Sequence, residues 1–441
     1  MNGLVGADLR HRTGVFVGTF VAVGFGAALF SLCAALFTSA IILNGESSED
    51  YVGPIAVFAT MGAISVFASL FVVASTVALS VEQRRADMAL LRSVGATPRQ
   101  VRRLVIREMG VVSLVATVIG TLAALPVADA MAGVFAGIDD MPSEFEYRRH
   151  ILPVGVSLAA TWLVAVLAAM TSARAAGAAS PAEAMTGSDG APRRLGITRW
   201  VIGSIFTAGG VALIIVSATT NDDPGLAIGY VFMASATALI GVSMLGPVVV
   251  RPMARLVSLP FRATTTGSIA AMNVVADARR TAATAGPVAL MTAINVGMVQ
   301  ATVAANDMGT EGSQMWSLWI MIAISVGFAA IAVVNTTAMT IVRRRTELAS
   351  LRLAGATPAQ TRRSSQTEAV IAALTGSAIG VVIATAACWA FAVATGVSLI
   401  GMFEPALIGG LAGFAMVLAA GSAHVAARRA IGDPTLLVEV E

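Results

Sequence analysis

The sequence predicts an all-α polytopic membrane protein. It is expected to hold ten transmembrane helices, arranged as two parallel four-helix repeats plus two central connecting helices, with a short cytoplasmic helix in each repeat. Three observations carry this reading. Only 12% of residues are charged and 57% are hydrophobic, where a soluble domain carries about a quarter charged residues. Apolar runs long enough to cross a bilayer, about 20 residues, recur along the whole chain. One charged phrase is written twice, as "RRADMALLRSVGATPRQVRR" at 84–103 and "RRRTELASLRLAGATPAQTRR" around 344–363.

The spans are expected near 14–42, 54–80, 105–132 and 151–172 in a first repeat covering 1–190. A connector, 191–262, holds two more at 197–218 and 226–249. The second repeat, 263–441, holds 283–305, 315–341, 367–395 and 405–425. The first run is too long for a signal-peptide core and lacks a convincing cleavage site, so it reads as an uncleaved span. Because the connector contributes an even number of spans, both repeats enter the membrane in the same direction.

Charge sets the orientation. All 28 basic residues are arginine, the mark of a GC-rich bacterial genome. With ten spans, all but Arg148 and Arg149 fall on the side that holds both termini. The positive-inside rule then places the termini in the cytoplasm of a multi-pass cell-membrane protein. The outer loops are short; the longest, 136–150, reads as an ordered loop, since so short a segment buries no core of its own.

Several chemistries are excluded. Without lysine the chain cannot carry an ordinary phosphate-binding GxxxxGK[ST] loop or form a lysine Schiff base. Cys33 and Cys388 stand alone within apolar runs and read as buried thiols rather than a metal site or disulfide. His11, His150 and His424 are scattered, with no HExxH or GxSxG pattern. No catalytic residue, metal, bound cofactor or nucleic-acid partner is expected.

The repeated phrase reads as helix, turn, helix. Met88, Leu91 and Val94 fall at helical spacing, with Arg84, Arg85 and Arg92 supplying a charged surface. Gly95 suits a left-handed helix terminus. Thr97 then caps a new helix, Pro98 fits its first position, and Gln100 completes a capping box. Gly355, Thr357, Pro358 and Gln360 repeat these roles, with Arg344, Arg345, Glu347, Leu351 and Arg352 matching the first copy. Asp87 and Glu347 stand in register. Simple anchoring among lipid phosphates is one reading; a paired docking surface for a cytoplasmic partner accounts better for the repeated turn and acid.

Polar residues within spans are the candidates for a translocation path. Asp129 sits near an outer end, as wetted rim or cavity lining. Asn295 and Asn335 suit interhelical hydrogen bonds. Gly409 and Gly413, at small-xxx-small spacing, are expected at a close helix contact.

At Asp87, Leu91-Arg92 and Gly95-Ala96, and again at Glu347, Leu351-Arg352 and Gly355-Ala356, the chain resembles the FtsX-like permeases of ABC transporters. That broad group includes MacB-like and LolC/E-like members. Glu108 and Glu368, just inside the following spans, also match between the halves. The resemblance covers essentially the whole chain in a duplicated ten-span form.

It implies a separate cytoplasmic ABC ATPase, a homodimer carrying ATP and Mg, that drives the permease through the two short coupling helices. The expected function is ATP-coupled export or membrane extraction of an amphipathic or hydrophobic drug, peptide or lipid. The alternative is a non-transporting, ATPase-coupled signalling module. Relatives commonly carry a sizeable extracytoplasmic domain where this chain has only the linkers 44–53 and 306–314. Cargo handling would then fall to the spans and their acidic outer rim.

Overall fold

The computed structural model describes residues 13–46, 52–83, 85–135, 147, 150–177, 196–219, 224–307, 315–396, 398 and 404–431. Arg84, His11, Arg148, Arg149, most of the outer loop 136–150 and the linkers 47–51 and 308–314 lie outside the described residues. So do most of the tail after the fourth span and the C-terminal tail. The described chain is helical and forms two compact units, Met1–Pro192 and Arg193–Glu441.

The first unit contains α1 (Thr13–Glu46), α2 (Val52–Gln83), α3 (Arg85–Ser93), α4 (Pro98–Phe135) and α5 (Ile151–Gly177). α1 packs against both α2 and α4, and α5 closes the group on α4 and α2. Lipid tails are as apolar as leucine, so small residues that admit close backbone approach dominate such contacts. A Cβ added to Gly120 of α4 would stand 2.0 Å from the Gly24 carbonyl oxygen of α1. α5 contributes Ala165, Ala169 and Ala173, four apart on one buried stripe facing Val73, Val77, Met109 and Val112. Hydroxyls knit the same interior: Ser31 bonds Ser157 at 2.7 Å and Thr121 at 3.1 Å.

The second unit begins with the paired helices α6 (Ile197–Thr219) and α7 (Pro224–Met244). They close over Gly203, Gly210 and Gly241. Two shorter helices follow, α8 (Gly246–Val257) and α9 (Thr265–Ala276), joined by a 3-10 turn, Leu259–Ala263. Then come α10 (Ala278–Asp307), α11 (Met315–Arg343), α12 (Arg345–Leu353), α13 (Pro358–Thr395) and α14 (Pro405–Ile431). α10 and α13 meet as α1 and α4 do. A Cβ on Gly376 would lie 2.3 Å from the Ala285 carbonyl oxygen, and one on Gly380 would lie 2.7 Å from that of Ala289. Leu411, Ala415, Ala419, Ala423 and Ala427 form the packed stripe of α14.

Among the described residues nine helices are long and apolar enough to cross a membrane, or ten if α7 and α8 together make one span. The chain is therefore an all-α polytopic membrane protein. The span expected over 226–249 does not run straight: α7 ends at Met244 and α8 leaves it at 93°. Pro247 is the physical reason, because it has no amide to donate and its ring opposes the preceding helical turn.

The expected contact at Gly409 and Gly413 is also corrected. A Cβ on either would meet nothing within 4 Å. They lie on the side of α14 opposite its alanine stripe, so their spacing coincides with no neighbour. Cys33 and Cys388 are both buried and free.

Candidate coupling site

α3 and α12 are nine-residue helices whose ends are fixed by the same local chemistry. Gly95 has φ 103° and Gly355 φ 95°, the left-handed region that side chains with a Cβ avoid. The Gly95 amide donates to the Arg92 carbonyl and Ala96 to Leu91. Gly355 and Ala356 donate in the same way to Arg352 and Leu351. This paired closure satisfies carbonyls that a helix end otherwise leaves open.

The chain then restarts at once. The Gln100 amide donates to Thr97 Oγ1 at 3.3 Å while the Thr97 amide donates back to Gln100 Oε1 at 2.8 Å. Thr357 and Gln360 form the same reciprocal pair, at 3.2 and 2.8 Å. Pro98 and Pro358 occupy the first positions of α4 and α13, where the missing amide costs nothing. Only four residues thus separate each short helix from a 38-residue helix.

The apolar residues of these helices divide between two directions. Met88 and Leu348 are buried in the cores of their own units. Leu90, Leu91 and Val94 are exposed, Val94 at 89%. In the second copy Leu351 is half-buried and Leu353 is exposed. Met88, Leu91 and Val94 therefore do not share one buried face: Met88 anchors α3 and the other two point outward. Arg92 and Arg352 are partly exposed, and Glu347 and Pro358 are exposed. The side chains of Arg85, Asp87 and Arg345 lie outside the described set.

Beneath α12 sits a buried charge cluster. Arg344, between α11 and α12, donates through Nε to Glu347 Oε2 at 2.5 Å and through Nη1 to Glu368 Oε2. Glu368, in the N-terminal part of α13, also accepts from Arg280 of α10 at 3.3 Å and from Asn273 of α9 at 2.7 Å. Arg280 in turn pairs with Asp277. Burial disfavours the Arg344 charge, but Glu368 and Glu347 outweigh it, so its pKa is raised above the ordinary arginine value. A buried ion pair persists only when further hydrogen bonds complete both partners, and here they do.

Asn273, Asp277 and Arg280 escaped sequence reasoning. The available signal was physical: an acid such as Glu368 inside an apolar helix needs cationic partners, and "ADARR" offers them. Glu108, at the corresponding place in the first unit, is likewise buried.

The remaining candidates lie apart from these turns. Asp129 is exposed on α4. Asn295 is buried and donates to Met291 O and Ser325 Oγ, tying α10 to α11. Asn335 is half-buried on α11, and its Nδ2 has no hydrogen-bond partner among the described residues. Among the described residues no group of three or more His, Cys, Asp or Glu could hold a metal.

No curated protein matches the chain. A family model described as FtsX-like permease C-terminal matches it twice, at residues 59–181 and 319–435. Each match starts within the long helix that precedes a repeated phrase, α2 or α11, and runs through the glycine turn to the alanine-striped helix α5 or α14. Such permeases are non-catalytic and generally work with a cytoplasmic ABC ATPase. With two matched segments that together span more than half of its residues and enclose both copies of the turn, this chain belongs to the FtsX-like permease family.

Proposed function

We propose that the protein is the membrane subunit of an ABC transporter in a duplicated ten-span form, of the kind that includes MacB-like and LolC/E-like permeases. Its cytoplasmic partner is an ATPase homodimer that binds ATP and Mg, and α3 and α12 are the two receiving helices. The observation that carries this reading is the paired turn. Two short helices, each locked by a left-handed glycine and a capping box, present outward-facing leucines at the start of a membrane-crossing helix. A symmetric pair of ATPases offers two equivalent surfaces to meet them.

The cargo is an amphipathic or hydrophobic drug, peptide or lipid, exported or extracted from the membrane. The support is the apolar character of the long helices and the shortness of the outer linkers. Asp129, Asn295 and Asn335 are the polar residues proposed for the path. Both termini lie in the cytoplasm.

The test is co-purification and reconstitution with the cognate ATPase. ATP-dependent redistribution of a cargo across vesicles is expected without any extracytoplasmic adaptor. Stable ATPase binding and nucleotide-driven movement with no redistribution across a broad cargo screen would replace transport by signalling. Full ATPase activity in the purified chain alone, abolished by mutation within it, would overturn the assignment.

A further inference from the structure

α8 turns away from α7 at 93° and does not belong to either copy of the repeated phrase. Its twelve residues sort into three lengthwise stripes, each spaced by four. Gly246, Val250 and Ala254 are buried against the second unit. Arg251 and Arg255 form an exposed basic stripe, and Val248, Pro252 and Leu256 an exposed apolar one beside it. Leu259, just beyond α8, and Met272 on α9 are also exposed, at 55% and 61%. The basic side continues to exposed Arg262.

The stretch 246–280 carries five arginines and one acid, Asp277, and Asp277 is paired with Arg280. Arg251 also donates to the carbonyls of Val275 and Ala276 at the end of α9, which holds α8 and α9 together as one plate. The bend supplies the direction. With α7, 21 residues long, as the crossing limb of this bent pair, a helix at 93° to it runs along the bilayer surface rather than through it.

From these stripes and this angle we infer that α8, the 3-10 turn and α9 form a plate seated in the headgroup layer of the cytoplasmic leaflet, and that it binds anionic phospholipid. Val248, Pro252, Leu256 and Leu259 enter the acyl boundary. Arg255 of α8 and Arg262 of the 3-10 turn reach phosphate, as long cationic side chains do at interfaces. The net positive charge selects anionic headgroups over zwitterionic ones. The leaflet assignment rests on the orientation proposed above; the lipid contact itself does not.

The full chain is reconstituted, without ATPase or cargo, in phosphatidylcholine vesicles with or without phosphatidylglycerol. Both native thiols are buried, so a maleimide fluorophore is directed to Leu256→Cys. Quenching by lipids brominated near the headgroup is expected, with shielding from aqueous iodide. By native mass spectrometry the chain should retain phosphatidylglycerol over phosphatidylcholine. Arg255→Gln should lower that retention about fivefold, and Arg255→Gln with Arg262→Gln roughly twentyfold, as expected for cations at an anionic surface.

Iodide quenching without lipid quenching would overturn the proposal, as would unchanged phosphatidylglycerol retention in the double variant. Shielding that arises only when the ATPase is added would assign the surface to protein and overturn it equally. Because no ATPase is present in the main arm, a negative result there leaves the permease reading intact.

Discussion

Arg344 and Glu368 join the root of α12 to the body of α13 through a buried hydrogen-bonded ion pair. The two residues flank the glycine turn, so the turn is closed twice: locally by its backbone and capping box, and at its base by charge. Asn273 and Arg280 complete the carboxylate, so α9, α10, α12 and α13 share one fixed point.

Glu368→Ala should therefore cost about 1.5–3 kcal/mol, because it removes the shared buried acceptor and leaves Arg344 and Arg280 only their half-exposed second carboxylates, Glu347 and Asp277. Glu368→Gln, which keeps hydrogen-bonding capacity, should cost less. Thermal unfolding of the purified protein in detergent measures both. Equal melting temperatures for Glu368→Ala and the parent would show that the cluster holds nothing together.

Leu91→Asp with Leu351→Asp should weaken ATPase co-purification at least tenfold, about 1.4 kcal/mol, while expression and insertion persist. Either change alone should do less. The structure adds an asymmetry: Leu351 is half-buried where Leu91 is exposed, so Leu351→Asp should also lower the melting temperature. Arg92→Glu and Arg352→Glu should give smaller binding defects that salt suppresses. Normal binding by the double leucine variant would leave membrane anchoring as the better account of the repeated phrase.

Gly95→Ala and Gly355→Ala should each cost about 1–2 kcal/mol through backbone strain alone. A Cβ would touch nothing at either place, so no clash contributes. The expected result is weakened stimulation of ATP hydrolysis by cargo with little change in membrane insertion. Serine at these positions should rescue nothing, because the strain comes from the Cβ.

Gly120→Ala should destabilise the first unit by about 1–3 kcal/mol, since its methyl would meet the Gly24 carbonyl. Gly380→Ala should do the same to the second unit. Gly409→Ala and Gly413→Ala should be neutral. Melting curves of the four variants separate the two pairs, and a cost at Gly409 equal to that at Gly120 would contradict the packing described here.

Signals confined to a few neighbouring residues were the legible ones. The long apolar helices follow from hydropathy, and the turns at Gly95 and Gly355 follow from glycine, threonine, proline and glutamine at fixed offsets. Where averaging hid a local event, the sequence misled: the apolar run over 226–249 passes through Pro247, so its mean hydropathy conceals a right-angle bend. α9 is too short and too mixed to register beside 20-residue runs. Glu368 and Asn273 lie 95 residues apart, and no periodicity announces which distant amide a buried acid will meet. The glycines of α14 have a contact spacing, but spacing cannot say which side of a helix finds a neighbour.

The lengths of α4 and α13 have a mechanical consequence. Thirty-eight residues of helix extend about 57 Å, nearly twice the roughly 30 Å of hydrocarbon. In the coupling role proposed for α3 and α12, each of these long helices would act as a rod held in the bilayer with its handle at the capping box, so that a small tilt imposed at Thr97 or Thr357 would swing the far tip by several ångströms. α13 has no proline after Pro358 and transmits that swing as a stiff beam. α4 carries Pro126 near its far end, where the missing amide frees the Leu122 carbonyl and sets a joint. Under that proposal, the same push delivered to both halves would arrive as a rigid stroke through one and as a flexing tip through the other.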